Sequence, residues 1–387
     1  MPSLTMNRVA SRPVAIRRNS LLTHLECLRC GAACALTLEH AGCPACASAG
    51  VHVSLRAAYR KRARHYRYLP YEDTLGLMPG NTPLLQSPPL AQALNVTGLH
   101  IKDESQNPTG SHKDRMSALG VYQALDFGAH TLVLASSGNA AVSAAHYAHA
   151  AGLGCEVATY QDMPVSYLAQ LAACGATRLV FSDNAGRWRH VARRAAEPGF
   201  FALTNHHVPA LGSAPLAIEG YKAIAYECHS SGCVPAHIMV PTARGDLAWG
   251  IFAGFRDLLE AGEIGALPKI WIVEPFARLS RVLAGESLHL SYPGHTAQFS
   301  TAGATVTYLQ WQAAMVTGGG AVVVTDDAAR RARELLGIHG ISAELCAAAG
   351  LAGAQQLRLD KKISGDEDVL LILTANASRD PSAIQPD

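Results

Sequence analysis

Short apolar runs alternate with alanine-rich stretches over most of the chain, and this alternation limits the fold more than any other feature. The runs LHIK (99–102), TLVLA (131–135), CEVATY (155–160), TRLVF (177–181), HIMV (237–240), KIWIVE (269–274), AVVVT (321–325) and DVLLIL (368–373) are short and β-rich, so they predict strands. Between them lie helical stretches. NAAVSAAHYAHAA (139–151) closes at Gly152, and DDAARRARELLG (326–337) opens with acids and ends in glycine. Strands that are apolar throughout and alternate with helices imply parallel sheets covered on both faces. The expected class is α/β, with two doubly wound domains, and 387 residues suffice for two cores.

Charged residues make up 16% of the chain, below the usual quarter, which predicts much buried helix and a subunit interface. A formal net charge of +2 gives no electrostatic reason to expect nucleic acid as partner. The basic, tyrosine-rich stretch RAAYRKRARHYRYLPYED (56–73) reads as a solvated helix leading into the body rather than as a nucleic-acid patch. No run of eighteen apolar residues predicts a membrane span. The first twenty residues are basic and free of acids, a faint likeness to a transit peptide. An irregular arm to about residue 22 is the simpler reading.

Ten cysteines are present, and four form two CxxC pairs, Cys27/Cys30 and Cys43/Cys46, with twelve residues between the pairs. Two such knuckles offer four thiolates in a tetrahedron, the closed geometry of structural zinc, and Gly31, Gly42 and Pro44 suit the turns. A redox pair or a ribbon without metal is the alternative, and Cys34 and His40 are possible substitute ligands. The remaining cysteines are scattered, which excludes a secreted disulfide scaffold and points to a reducing cytoplasm.

The chemistry sits in KDESQNPTGSHKDR (102–115). Asn107, Pro108 and Gly110 make a turn, and Lys113 follows at the start of a helix, where the dipole disfavours an ammonium and helps an amine react. This run resembles the cofactor-lysine motif of threonine synthase and its relatives among the fold-type-II pyridoxal-phosphate enzymes, which read Asn-Pro-Thr-Gly-Ser-Phe-Lys-Asp-Arg. Only the Phe differs, as His112. The resemblance implies that Lys113 forms the internal aldimine with pyridoxal 5′-phosphate and later moves the substrate α-proton.

Three further segments fit the same resemblance. Ser136-Ser137-Gly138-Asn139 follows a strand and opens a helix, where backbone N–H groups can meet an anion. The family's loop binds the substrate carboxylate there, with its Asn on the cofactor 3′-oxygen. Thr242, Ala243, Arg244, Gly245 and Asp246 stand where the family places its cofactor-phosphate loop, although only one glycine remains and Arg244 either adds charge or points to solvent. Thr374 ends DVLLIL, where the family threonine meets the pyridine nitrogen; the glycines that follow have become Ala375 and Ala377, and the lysine has become Arg379.

One departure concerns substrate. LAIEGYKAIAYE (216–227) resembles a family segment Arg-x-Glu-Gly-x-Lys-Thr whose arginine helps hold the phosphate of O-phosphohomoserine, and here that position is Ala217. A methyl group cannot replace a bidentate anion clamp. Lys222 remains, and Asn205 is a candidate for another polar position. Either another residue binds the phosphate or the substrate differs, and the sequence tips slightly to the second.

The cysteine pairs imply a zinc ribbon at 23–50; the expected layout then has a large cofactor domain from 51–115 and 206–387 and a small mobile domain at 116–205, and the resemblance implies a homodimer. The expected activity is elimination or replacement at the β- or γ-carbon of an amino acid. The first candidate is conversion of O-phosphohomoserine to threonine. The second is β-replacement or deamination of O-phosphoserine, serine or threonine, and the third a non-catalytic zinc-ribbon protein.

Overall fold

A computed structural model describes residues 16–38 and 41–380. His40, most of the expected N-terminal arm and the last seven residues lie outside the described residues. The strands in chain order are β1 (Leu22–Cys27), β2 (Ala33–Cys34), β3 (Leu55–Tyr59), β4 (Leu84–Gln86), β5 (Gly98–Asp103), β6 (Thr131–Ala135), β7 (Gly154–Thr159), β8 (Thr177–Val180), β9 (Phe200–Ala202), β10 (His237–Pro241), β11 (Lys269–Glu274), β12 (Gly320–Val323) and β13 (Asp368–Leu373).

They form three sheets. The larger α/β sheet runs β12-β11-β10-β13-β5-β4, the smaller runs β8-β7-β6-β9, and a ribbon runs β2-β1-β3. The smaller sheet is parallel throughout. The larger is parallel except at its edge, where β4 pairs antiparallel with β5. The central strands explain their own sequences: Val369 to Leu373 of β13 are all buried, and a strand covered on both faces needs an apolar side chain at every position. Each such side chain contributes about 1.5–3 kcal/mol.

Parallel strands place their carboxyl ends on one edge, where α/β proteins bind ligands. Every loop singled out above follows such an end: 104–112 follows β5, 136–138 follows β6, 242–245 follows β10, and Thr374 follows β13. Helix Leu345–Leu359 lies along β10 and β13, and helix Asp246–Glu260 packs on helix Lys222–Ser230 and buries Trp249 completely.

Two expectations need correction. The stretch 56–73 holds no helix; β3 occupies 55–59 with Leu55, Ala57 and Tyr59 buried on alternate positions, and the chain then runs irregularly with Tyr68 and Tyr71 buried. Its cations meet the protein's own acids, Arg56 on Glu26 at 2.5 Å and Lys61 on Asp257 at 2.7 Å. The helix expected to stop at Gly337 runs on as Asp326–Ile338, and the chain turns at Gly340 with φ of +76°. Gly337 has open space where a side chain would stand, so it is tolerated inside the helix.

The ribbon is joined to the body. Leu25, Val53, Leu55 and Tyr59 belong to the same buried cluster as Leu216, Tyr221 and Trp249. Gln312 Nε2 also donates to Leu28 O at 3.3 Å, and Ser54 Oγ donates to Leu211 O.

Candidate active site

The lysine loop is held by a buried polar network. Arg115 Nε and Nη2 donate to both oxygens of Glu104 at 2.6 and 2.7 Å, and Arg115 Nη1 meets Glu227 at 2.7 Å. Lys102 pairs with the same Glu227 at 2.6 Å. Asn107 Nδ2 donates to Glu104 Oε2 at 2.9 Å, and Thr109 N donates to Asp114 at 2.7 Å. The motif's polar residues thus secure the turn and fix where helix Lys113–Asp126 begins. Arg379 reinforces it from the far end of the chain, donating to Thr109 O and to Gln170 Oε1.

His112 takes the place where the resembled motif has Phe. Burial drives its imidazole well below the usual range, with Lys113 adding to the effect, so the ring is neutral. Its backbone N–H donates to Thr374 O at 3.0 Å, and Nδ1 lies 3.1 Å from the same carbonyl. A neutral ring with its proton on Nδ1 satisfies that contact.

Lys113, Ser136, Ser137, Gly138, Asn139, Thr242, Ala243, Arg244, Gly245, Asp246 and Thr374 all line one cavity of about 580 Å³. Burial pushes the Lys113 amine below its ordinary range; Arg244 works the same way, while Asp246 and Glu344 oppose it. No ion pair holds the Lys113 ammonium among the described residues. A larger neutral fraction makes this nitrogen a better nucleophile and base.

Ser136 Oγ accepts from Gly138 N at 3.3 Å and Ala141 N at 3.2 Å, so its oxygen caps the helix that follows while its proton stays available to a ligand. Gly138 packs under Phe299, whose ring would lie 3.1 Å from an added Cβ. Gly245 has φ of +96° and leaves no room for a side chain, since a Cβ would sit 2.4 Å from Gln310 Cβ. This explains why one glycine survives in an otherwise altered loop. Asp246 accepts from Ser213 N at 3.1 Å and Oγ at 2.7 Å.

Other candidates lie apart from the cavity lining. Lys222 is buried with Glu219 at 2.5 Å and Asp257 at 3.0 Å. Asn205 Oδ1 accepts from Leu211 N and Gly212 N. Ala217 is fully buried and does not line the cavity.

Sequence reasoning missed three residues. Arg278 is buried behind the 242–246 loop and donates to Thr242 O at 3.0 Å, Ala243 O at 3.2 Å and Thr301 O at 3.0 Å, holding the loop rigidly. Arg187 lines the cavity from helix Asn184–Ala195. Glu344 accepts from Asn139 Nδ2 at 2.9 Å and Ser300 Oγ at 2.6 Å. Glu344 was visible only as a lone acid between apolar residues, ISAELCAAA.

Burial raises the Glu344 carboxyl from 4.5 to about 7, against its two hydrogen bonds. Between those values the folded protein binds more protons than the unfolded chain, so this contribution to stability is whole below 4.5 and is lost as pH rises to about 7. Relative to Glu344→Gln, the cofactor-free wild type should lose roughly 3 kcal/mol over that range. Urea unfolding of both proteins at about pH 5 and about pH 8 measures this; equal pH dependence would show that Glu344 ionises as it does in water.

Comparison with known proteins decides what the cavity belongs to. Residues 76–375 match the family model described as pyridoxal-phosphate dependent enzyme. The chain belongs to that family. This pyridoxal-phosphate enzyme is 29% identical to threonine synthase of Methanocaldococcus jannaschii over 83% of its own length and 81% of that protein's. It is 30% identical to threonine synthase of Halalkalibacterium halodurans, over 80% and 85%. Its fold matches a crystal structure of a pyridoxal 5′-phosphate-dependent aspartate racemase with a TM-score of 0.67 at 19% identity, covering 79% of this chain and 92% of that one. The pyridoxal-phosphate enzyme is therefore of the threonine synthase type. Its cavity suits the cofactor by its own chemistry: an amine that burial shifts towards its neutral form, a turn that excludes a side chain at Gly245, and a hydroxyl-bearing Thr374 at a strand end.

At the ribbon, the four sulfurs of Cys27, Cys30, Cys43 and Cys46 lie within 4.8 Å of one another, with Cys27 to Cys46 and Cys30 to Cys43 each at 3.7 Å. Cys34 stands outside this group. No helix among the described residues is long and apolar enough to cross a membrane.

Proposed function

We propose that the protein converts O-phosphohomoserine and water to threonine and phosphate. The observation that carries this reading is the single cavity that gathers Lys113, the 136–139 loop, the 242–246 loop and Thr374 in a chain whose relatives are threonine synthases. Ala217 had tipped the sequence reading towards another substrate, and the relatives tip it back.

Lys113 would bind the cofactor aldehyde, and the N–H groups of 242–246, at the start of helix Asp246–Glu260, would take its phosphate. Asn139 would meet its ring oxygen, and Thr374, a mild hydroxyl partner, its ring nitrogen. When bound, pyridoxal phosphate supplies an electron sink for charge developing at the substrate α-carbon. Ser136, Ser137 and Gly138 would hold the substrate carboxylate. Lys113 Nζ would take the substrate α-proton and carry protons between carbons as phosphate leaves Cγ and water adds at Cβ. Closure of the part proposed as mobile, 116–205, would exclude bulk water; it encloses all four strands of the smaller sheet.

The test is addition of single amino acids to the vitamin-B6-loaded protein. Equimolar phosphate and threonine from O-phosphohomoserine are expected. Keto acid from serine, threonine or O-phosphoserine, with O-phosphohomoserine inert, would replace this reading by the lyase alternative.

The same proposal gives Cys27, Cys30, Cys43 and Cys46 a structural Zn²⁺. Ligands at about 2.3 Å in a tetrahedron stand about 3.8 Å apart, near the observed spacings. One zinc per chain by elemental analysis is expected, and its absence from protein made in zinc-replete medium would leave the ribbon without this role. A homodimer and a cytoplasmic setting complete the proposal. All ten cysteines are unpaired, which suits a reducing compartment, and sedimentation of the loaded enzyme decides the first.

A further inference from the structure

Arg187 has donors to spare in the place where a substrate must sit. It is 8% exposed, its guanidinium lies 3.7 Å from the Tyr160 ring centroid, and Nη2 donates to Asn184 Oδ1 at 2.7 Å. Nε and Nη1 are buried and have no hydrogen-bond partner among the described residues. Arg244 lines the same cavity, with its guanidinium 5.6 Å from the ring of Trp188, the neighbour of Arg187 on its helix. Neither arginine has a carboxylate in ion-pair range among the described residues. The two acids that share the cavity are engaged elsewhere, Asp246 with Ser213 and Glu344 with Asn139 and Ser300.

Two guanidinium groups in one desolvated pocket repel each other, and Arg244 indeed depresses the Arg187 guanidinium beyond what burial does. Unspent donors and unpaired buried charge persist only where something offsets them. A phosphate monoester does so well, because its oxygens match the fork of a guanidinium. The 242–246 turn already has the start of a fifteen-residue helix for one phosphate group. Arg187 comes from a different element, a helix packed on the smaller sheet.

We propose that Arg187, with Arg244 beside it, forms a second anion subsite that takes the terminal phosphate of the substrate, replacing the arginine that position 217 lacks. This rests on the O-phosphohomoserine reading. It also answers the departure at Ala217, whose methyl group is fully buried and does not line the cavity.

The test compares loaded wild type with Arg187→Met, which keeps an apolar stem over Tyr160, and Arg187→Lys, which restores one charge. Three quantities are read: affinity for inorganic phosphate by calorimetry, kcat/KM for O-phosphohomoserine, and cofactor retained on dialysis. Arg187→Met should weaken phosphate binding and lower kcat/KM by about 30-fold or more with the cofactor retained, and Arg187→Lys should recover part of both. A folded Arg187→Met protein that binds phosphate as wild type does would overturn the subsite. So would loss of cofactor with phosphate affinity intact, since the arginine would then serve the cofactor's own phosphate. Should wild type bind phosphate through Arg187 yet release none from O-phosphohomoserine, the subsite stands and the substrate reading falls.

Discussion

Lys113→Ala should lower turnover by at least about 10³-fold, because one nitrogen both binds the cofactor and moves the proton. The loss should fall on kcat rather than on folding. Lys113 Nζ has no ion-pair partner to abandon among the described residues, and a half-buried ammonium is costly in itself. Melting of the cofactor-free variant should therefore match or slightly exceed wild type. Borohydride reduction of the loaded wild type should fix the cofactor on the peptide carrying Lys113. A variant that keeps full activity, or an adduct that maps elsewhere, would remove this lysine from the chemistry.

Arg115→Leu should be the most destabilising single change near the site, by about 3–5 kcal/mol in urea unfolding. Glu104 is completely buried and depends on Nε and Nη2 of that guanidinium. Burial alone would push the Glu104 carboxyl up, and Arg115, together with hydrogen bonds from Thr82 and Asn107, more than reverses this, leaving it below the usual range. Without Arg115 the carboxylate is stranded, whereas Glu227 still has Lys102 at 2.6 Å. The double variant Arg115→Leu, Glu104→Leu should therefore be more stable than the single one, since it removes the stranded charge. A double variant as unstable as the sum of its parts would show that the two side chains do not act as a pair.

The strands were legible because an apolar run bounded by polar residues has one simple solution in a covered sheet. TLVLA, KIWIVE and DVLLIL match β6, β11 and β13 residue for residue. The 56–73 stretch failed because charge density was weighed above period. Leu55, Ala57 and Tyr59 alternate, but the many arginines masked a two-residue repeat whose cations pair with acids as distant in sequence as Asp257. The lysine loop was legible as a motif, since its turn and helix start are local. Arg187, Arg278 and Glu344 were not, because each comes from another part of the chain, Arg187 and Glu344 to the cavity wall and Arg278 to the back of the 242–246 loop, and no spacing links them to Lys113. Ala217 reads in the sequence as a missing clamp, but where the proposed replacement would stand depends on how two sheets face each other, which one-dimensional pattern does not encode.

The shared core of ribbon and body has a consequence for how the chain can be shortened. A bead on a flexible tether can be cut off and leave its neighbour intact. Here Leu25, Cys27, Leu28, Cys43 and Cys46 share one continuous buried apolar mass with Leu216 and Tyr221, so deleting the cysteine segment strips a wall from the catalytic half and opens that mass to solvent.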